Sequence, residues 1–436
     1  MENRIKSNQE ILVKLGIEEL NPIQLDAIKS INNFSNNVLL APTGSGKTLA
    51  FLLPILTLME FKLSEIQTLI VVPTRELALQ IEQVLRVMGT GFKVNAIYGG
   101  RTGQKDKIEL RQAPAILIGT PGRIADRIRR GDIETNFITH LILDEFDKSL
   151  AFGFISEMKE IMGALPMLRK KTLTSATQQL EIPEYLRCKE PKIMNYLEKS
   201  ESKLELKAII VKDKKKLEVL QEALGYLGDE PGIVFCNFKD TVGQVSDFLN
   251  EHKISHGCFS GNMDQMDRER TLIKFRNGSL RLIIATDLAA RGLDISQITF
   301  IIHFELPYNQ DEFTHRNGRT ARMNKEGIAY VMQSKDERLP TFIAELPVVN
   351  WEEKKSPSAS LWQTLFVSGG RKDKISKGDL VGFFIKKGLL GADQLGVIEI
   401  KHDCSFIGIQ ASDMKALIQR TTNQYLKKRK VRISLA

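Results

Sequence analysis

Ala41-Pro42-Thr43-Gly44-Ser45-Gly46-Lys47-Thr48 has the residue types of a phosphate cradle. Glycines let main-chain N–H groups close on an anion, a lysine supplies positive charge for the outer phosphates of a nucleotide, and the hydroxyl after it can ligate Mg2+. Thr43, Gly44, Ser45, Gly46, Lys47 and Thr48 are therefore candidate nucleotide ligands, with Thr48 also a metal ligand. Ala41 stands where such patterns open with glycine. Roughly a hundred residues on comes Asp144-Glu145-Phe146-Asp147. Asp144 is suited to hold Mg2+ through water, and Glu145 to orient or deprotonate an attacking water. Arg316, Arg319 and Arg322 follow at spacings of three within His315–Arg322, so on a short helical turn they share a face. Guanidinium groups of this kind neutralise charge on a transferring phosphoryl group. Alone, an acidic pair at a strand end is a solvated turn and three arginines a solvated stripe. The cradle upstream gives both a catalytic meaning.

These groups need elements to position them. Val38-Leu39-Leu40 before the cradle reads as a buried parallel strand, and Leu49-Ala50-Phe51-Leu52-Leu53 after it as a helix. The alternation continues to about residue 200. Val38–Leu40, Thr68–Val72, Val94–Tyr98, Ile116–Ile118, Leu141–Leu143 and Thr172–Thr174 are expected strands of a mostly parallel sheet with helices on both faces. In such sheets ligands gather at the carboxyl ends of strands, and a polar motif follows each of the six runs. These are Thr43 to Thr48, Pro73-Thr74-Arg75-Glu76, Gly99-Gly100, Thr120-Pro121-Gly122-Arg123, Asp144 to Asp147 and Ser175-Ala176-Thr177. A second alternation has Ile209–Val211, Ile233–Phe235, Leu282–Ile284, Phe300–Ile302 and Ala329–Met332 as strands, Lys214–Leu227 and Asp264–Phe275 as helices, and no cradle of its own. The expected division is 1–202 and 203–347 as two α/β parallel-sheet domains in tandem, 348–360 as linker, and 361–436 as a small α+β domain reading strand, helix, two strands, helix, strand.

With 436 residues, 42% of them apolar, the chain is too long for a single core and suits two or three globular domains. Its apolar runs fall short of a membrane span and Met1–Lys6 leads into no signal-like segment, so a cytoplasmic protein without a membrane partner is expected. Cys188, Cys236, Cys258 and Cys404 form no close pair and six histidines show no metal-ligand spacing, which argues against a zinc site or a disulfide framework. The thiols are expected to be buried. Residues 361–436 hold fourteen Lys/Arg and six Asp/Glu, or +8 of the total +9. An excess concentrated in this way favours nucleic acid or an anionic membrane surface over a small-molecule substrate.

Taken together, the motifs of residues 10–335 resemble the DEAD-box branch of the superfamily 2 RNA helicases, in the family's order. The resemblance implies two RecA-like domains that close on ATP and a single RNA strand. It implies that Gln24, in Asn21-Pro22-Ile23-Gln24, reads adenine, that Gly44, Gly46, Lys47 and Thr48 hold phosphates and metal, that Asp294 approaches the ribose, and that Arg319 and Arg322 meet the γ-phosphate. RNA contacts are implied for Pro73, Thr74, Arg75, Gly99, Gly100, Thr120, Pro121, Gly122, Arg123, Gln265, Arg268 and Thr286. Most of these offer N–H, hydroxyl or guanidinium groups, which suit phosphate and sugar and carry little base information. Ser175-Ala176-Thr177 resembles the motif that links hydrolysis to strand separation. The chain departs from the family at Phe146 (alanine in the family), Ile17 (phenylalanine), Asn317 (isoleucine) and Ala321 (glycine).

Residues 361–436 resemble the RNA-binding domain of the DbpA group, a variant RRM, through Leu365 to Leu380 and Leu395 to Ile400. Ordinary RRMs stack bases on sheet aromatics. Phe366 and Phe406 are candidates, each equally suited to a core, and Lys427, Lys428, Arg429 and Lys430 with Arg432 are better candidates for RNA contact. The expected function is that of a monomeric ATP- and Mg2+-dependent RNA helicase that opens short duplexes and is delivered to structured RNA by its C-terminal domain. The DbpA resemblance implies 23S ribosomal RNA and large-subunit assembly. The alternatives are an ATP-gated RNA clamp that remodels protein–RNA complexes without useful unwinding, and a DNA translocase, against which the RRM-like domain argues.

Overall fold

β1 (Asn36–Leu40), β2 (Thr68–Val71), β3 (Val94–Ile97), β4 (Ile116–Gly119), β5 (His140–Leu143), β6 (Lys170–Ser175) and β7 (Lys192–Asn195) form one wholly parallel sheet in the order β3-β4-β2-β5-β6-β1-β7. In this computed structural model the described residues are 7–42, 44–61, 63–100, 102–151, 153–177, 181–197, 204–211, 215–261, 263–287, 298–320, 326–334, 337–351 and 360–436. Alternate residues explain why the strands read as unbroken apolar runs. Val38, Leu40, Leu69 and Val71 pack into one core layer with Leu117 and Leu143, while Leu39, Ala41, Ile70 and Val72 pack into the other with Phe51 and Leu53. Helices cover both faces, so both of these sets of side chains are withdrawn from water. Each fully buried side chain of this kind contributes about 1.5–3 kcal/mol of transfer free energy, and Leu53, wholly buried in the helix Lys47–Leu58, is where truncation to alanine should loosen the helix that carries Lys47.

The second parallel sheet comprises β8 (Leu204–Val211), β9 (Gly232–Cys236), β10 (Gly257–Phe259), β11 (Leu282–Thr286), β12 (Phe300–His303) and β13 (Gly327–Ser334), ordered β10-β11-β9-β12-β13-β8. The third is antiparallel, ordered β15-β16-β14-β19, from β14 (Gln363–Val367), β15 (Leu395–Ile400), β16 (Ser405–Ile409) and β19 (Ile433–Leu435). The helices Lys377–Lys386 and Met414–Thr421 supply Leu380, Phe384 and Leu417 to its core. The first sheet with its helices is one compact unit, and the second sheet and the C-terminal domain belong to another.

The sequence reading missed β7 and β10, each too short or too polar to show a pattern, and the hairpin β17 (Tyr425–Leu426) and β18 (Arg429–Lys430) between the last helix and β19. Helices expected from Lys214 and Asp264 begin at Lys216 and Gln265. The start of the stretch read as a linker is packed. Val349 N–H donates to the Ala208 carbonyl at 2.8 Å, and the Trp351 ring stacks on Tyr226 at 5.1 Å. Of the four cysteines only Cys236 is buried; the others are partly exposed. Among the described residues, no helix is long and apolar enough to cross a membrane.

Candidate active site and RNA interface

The strand order of the first sheet sorts the motifs. Adjacent strands β5, β6 and β1 end in Asp144-Glu145, Ser175-Ala176-Thr177 and the cradle. Adjacent strands β3, β4 and β2 end in Gly99-Gly100, Thr120 to Arg123 and Pro73 to Arg75. One half of a single sheet edge therefore carries the groups suited to phosphate chemistry and the other half the groups suited to a nucleic-acid backbone.

In the cradle, Ala41 N–H extends the pairing of β1 by donating to the Ser175 carbonyl at 3.0 Å, after which the chain turns at Gly44 (φ 82°) and Gly46 (φ 88°). Gly46 admits no side chain: its left-handed backbone disfavours one, and a Cβ there would lie 2.6 Å from Gln24 Nε2. Gln24 is buried. It closes a capping box with Asn21 on the helix Pro22–Asn33, and its amide reaches the Gly46 carbonyl at 3.4 Å, while Asn21 Nδ2 donates to the Ser45 carbonyl at 3.0 Å. The residue matched to adenine reading thus braces the cradle. Lys47 Nζ donates to the carbonyls of Ala41 and Pro42, the latter at 2.9 Å. Burial lowers its pKa to about 8, against the opposing attraction of Asp144 and Glu145. Thr43 lies outside the described residues.

Asp144 is buried, accepts from Thr174 Oγ1 and from Glu145 N–H at 3.1 Å, and is pushed up to about 6 by burial and then by Glu145. Glu145 holds a left-handed φ of 49°, uncommon for a residue with a side chain, and its Oε2 lies 2.6 Å from Nζ of the buried Lys148. Thr177 Oγ1 donates to Asp147 at 3.2 Å and interacts with Ser175 Oγ at 3.1 Å, which ties the Ser-Ala-Thr segment to the acidic motif. One hydroxyl at Thr48 and one buried carboxylate at Asp144 are a donor set that fits a phosphate-bound Mg2+, which takes few protein ligands.

On the other half of the edge, the Arg75 guanidinium lies against Gly99-Gly100, where a Cβ on Gly100 would meet Nη1 at 2.4 Å. Thr74 and Thr120 cap helices that begin at Arg75 and Pro121. Gly122 has open space at its Cα. Arg123 is tied to Asp106, a carboxylate with no exposure, so its guanidinium fastens two helices.

In the second unit Arg316 and Arg319 do not share a helical face. The helix Gln310–Asn317 ends before Arg319, and Arg316 is 1% exposed. Arg316 donates to both Asp287 oxygens, at 2.7 and 2.5 Å, to the Glu305 carbonyl at 2.7 Å and to Asn237 Oδ1 at 2.7 Å. It is the hub that joins the ends of β9, β11 and β12. Arg319 is 3% exposed in the turn beyond. Arg322 and Asp294 lie outside the described residues. Arg268 stacks its guanidinium over Phe259 at 4.7 Å on the helix that begins at Gln265, and Thr286 ends β11.

The DEAD/DEAH box helicase model matches residues 21–184, the helicase conserved C-terminal domain residues 215–324, and the DbpA RNA binding domain residues 364–435. ATP-dependent RNA helicase DbpA of Bacillus subtilis is 30% identical over 97% of this chain and 96% of that protein. This chain belongs to the DEAD-box ATP-dependent RNA helicases. The Escherichia coli DbpA is 31% identical over 92% of the chain and 90% of that protein. In fold the chain is similar to S. cerevisiae Dbp5 bound to RNA and ADP BeF3, with a TM-score of 0.67 and 24% identity over 76% of this chain and 88% of that one. Like the rest of the family, this DEAD-box helicase hydrolyses ATP and binds RNA, and its two parallel sheets are the RecA-like pair.

Its C-terminal sheet differs from an RRM platform in what covers it. Phe366 and Phe406 pair across the sheet at 5.6 Å, but Phe406 is 5% exposed. Residues at and just after the end of the helix Gln265–Arg276 reach the same face: the Asn277 amide lies 3.3 Å from Thr364 Oγ1, Ser279 Oγ 2.7 Å from the same atom, and Arg276 pairs with Glu399 at 3.0 Å. Base stacking on this sheet is therefore restricted. The basic hairpin is also only partly available. Lys427 pairs with Asp379 at 2.7 Å, holding that carboxyl down at about 2, and Arg429 pairs with Asp373, which leaves Lys428 and Lys430 as its exposed cations without such staples. Lys148, Thr174, Asp287 and Asn237 were not legible as site residues, since nothing in their spacing shows which distant group they meet.

The raised pKa of Asp144 has a consequence for stability. A carboxyl whose folded value lies above its unfolded 3.8 costs nothing at pH below 3.8, and the cost grows to its full size above about pH 6. Two units correspond to about 3 kcal/mol. Asp144→Asn is therefore expected to raise the melting temperature of the nucleotide-free helicase at pH 8, and to raise it less at pH 5, while removing hydrolysis. Calorimetry at the two pH values checks this; a lower melting temperature at pH 8 would show that the carboxylate stabilises the fold.

Proposed function

We propose that this helicase opens short duplexes in 23S ribosomal RNA during large-subunit assembly, with ATP held as its Mg2+ complex. The observation that carries the reading is the division of one sheet edge into a phosphate half and a backbone-binding half. In this reading Gly44, Ser45, Gly46, Lys47 and Thr48 hold the phosphates, Glu145 orients the attacking water, and Arg319 and Arg322 neutralise charge on the transferring phosphoryl group. Mg2+, held by Thr48 and by Asp144 through water, supplies further charge neutralisation when bound. Arg75 with Gly99-Gly100, Thr120 and Thr286 grip the RNA backbone whatever its sequence.

Target choice then falls to the C-terminal domain, which holds +8 of the chain's charge and matches the DbpA RNA binding domain. Removing residues 361–436 is expected to abolish preference for a ribosomal RNA fragment over a scrambled RNA while leaving ATP hydrolysis. Neutralising Lys428 and Lys430 is expected to flatten the salt dependence of binding, each lost phosphate contact lowering the log–log slope by about 0.7 to 0.9. Titrations at several salt concentrations read both. Equal preference in the intact and truncated proteins would remove this domain from target selection, and ATP-driven binding without strand separation on RNA duplexes would favour a clamp.

A further inference from the structure

We propose that Phe238 and Tyr308 form a platform on the second unit that stacks a nucleobase of the bound RNA strand, adding a base contact to a grip otherwise directed at the backbone. The proposal rests on the RNA-helicase reading. Phe238 is 56% exposed and Tyr308 67% exposed, and their rings meet edge to face with centroids 6.5 Å apart. Phe238 follows β9 by two residues and Tyr308 follows β12 by five, so both stand at the carboxyl edge of the second sheet. β9 pairs with both β12 and β11, and Cys236 at its end is the register partner of Thr286. The rings therefore stand at the same edge of the sheet as Thr286, to which RNA-backbone contact is assigned, and the exposed Lys239 follows Phe238 directly.

The segments that carry the rings are fixed before any ligand arrives. Between them, Asn237 N–H donates to Glu305 Oε2 at 2.6 Å, Asn237 Nδ2 donates to the Leu306 carbonyl at 2.9 Å, and Arg316 holds both Asn237 Oδ1 and the Glu305 carbonyl. Tyr308 N–H is itself held by Glu312 at 3.0 Å. Rings carried on a backbone held in this way lose less conformational entropy on binding, and bases of every kind offer a flat apolar face to them. Asp240 and Asp311 nearby lie in the first turns of the helices Lys239–Glu251 and Gln310–Asn317, where the helix N-termini offset their charge.

The test measures binding of the full-length protein, with a non-hydrolysable ATP analogue, to a short single-stranded RNA and to the same RNA with abasic positions across the bound segment. Replacing both residues (Phe238→Ala, Tyr308→Ala) is expected to weaken binding of the base-bearing RNA roughly 5- to 100-fold and to leave the abasic RNA unchanged. Phe238→Trp with Tyr308→Phe should retain the affinity. Equal losses on both RNAs, or no loss on either, would overturn the platform while RNA-stimulated ATP hydrolysis by the wild-type protein keeps the helicase reading. Loss of ATP hydrolysis without loss of RNA affinity would instead make these rings a contact within the protein and overturn the proposal. Absence of RNA binding by the wild-type protein would overturn both.

Discussion

Glu145→Gln is expected to bind ATP with near wild-type affinity and to hydrolyse it at least about a hundredfold more slowly. The carboxylate stands at the end of β5 beside the buried Asp144, in a left-handed backbone conformation, with Lys148 2.6 Å away. Glutamine keeps the shape and loses the charge and the basic oxygen that a water must give its proton to. Lys47→Ala is expected to fail earlier, at nucleotide binding, because its ammonium is the cradle's own charge for the outer phosphates. That ammonium rests on two carbonyls of the cradle, so an arriving phosphate exchanges with contacts already within reach. Equilibrium binding of a fluorescent nucleotide and single-turnover hydrolysis separate the two effects. Normal turnover by the Glu145 variant would remove it from the chemistry.

The second large effect concerns Arg319. Replacing it with alanine is expected to lower RNA-stimulated ATP hydrolysis about a thousandfold or more, the range seen when an arginine that meets a transferring phosphoryl group is removed. Arg316→Ala should act differently. Arg316 donates within the second unit to Asp287, Asn237 and Glu305, so its loss leaves buried acceptors behind and should lower the thermal stability of that unit along with activity. Residues 1–202, the bulk of the first compact unit, hold the cradle and both acids but not Arg319, and should be nearly inactive. Turnover assays with thermal melts on the two variants and the fragment check this. Robust RNA-independent hydrolysis by the fragment would contradict the role of Arg319.

The sequence alone determined the local chemistry: a cradle that needs Gly46 and Lys47, an acidic pair after an apolar strand, and short runs of three to five residues that require a sheet covered on both faces. These are short-range consequences of residue type and spacing. It also located the basic surplus in residues 361–436. Tertiary structure alone decided which motif neighbours which, because strand order depends on packing between residues far apart in the chain. It placed β6 between β5 and β1, bringing Thr174 to Asp144 and Thr177 to Asp147. It turned Gln24 into a brace for Gly46, took Arg316 out of a supposed arginine face by giving it Asp287, and occupied Lys427 and Arg429 with Asp379 and Asp373. It laid Asn277 against the C-terminal sheet. Each outcome is a polar group finding a partner distant in the chain, and no periodicity in the sequence encodes that choice, since the partner is fixed only when the sheets and helices have packed.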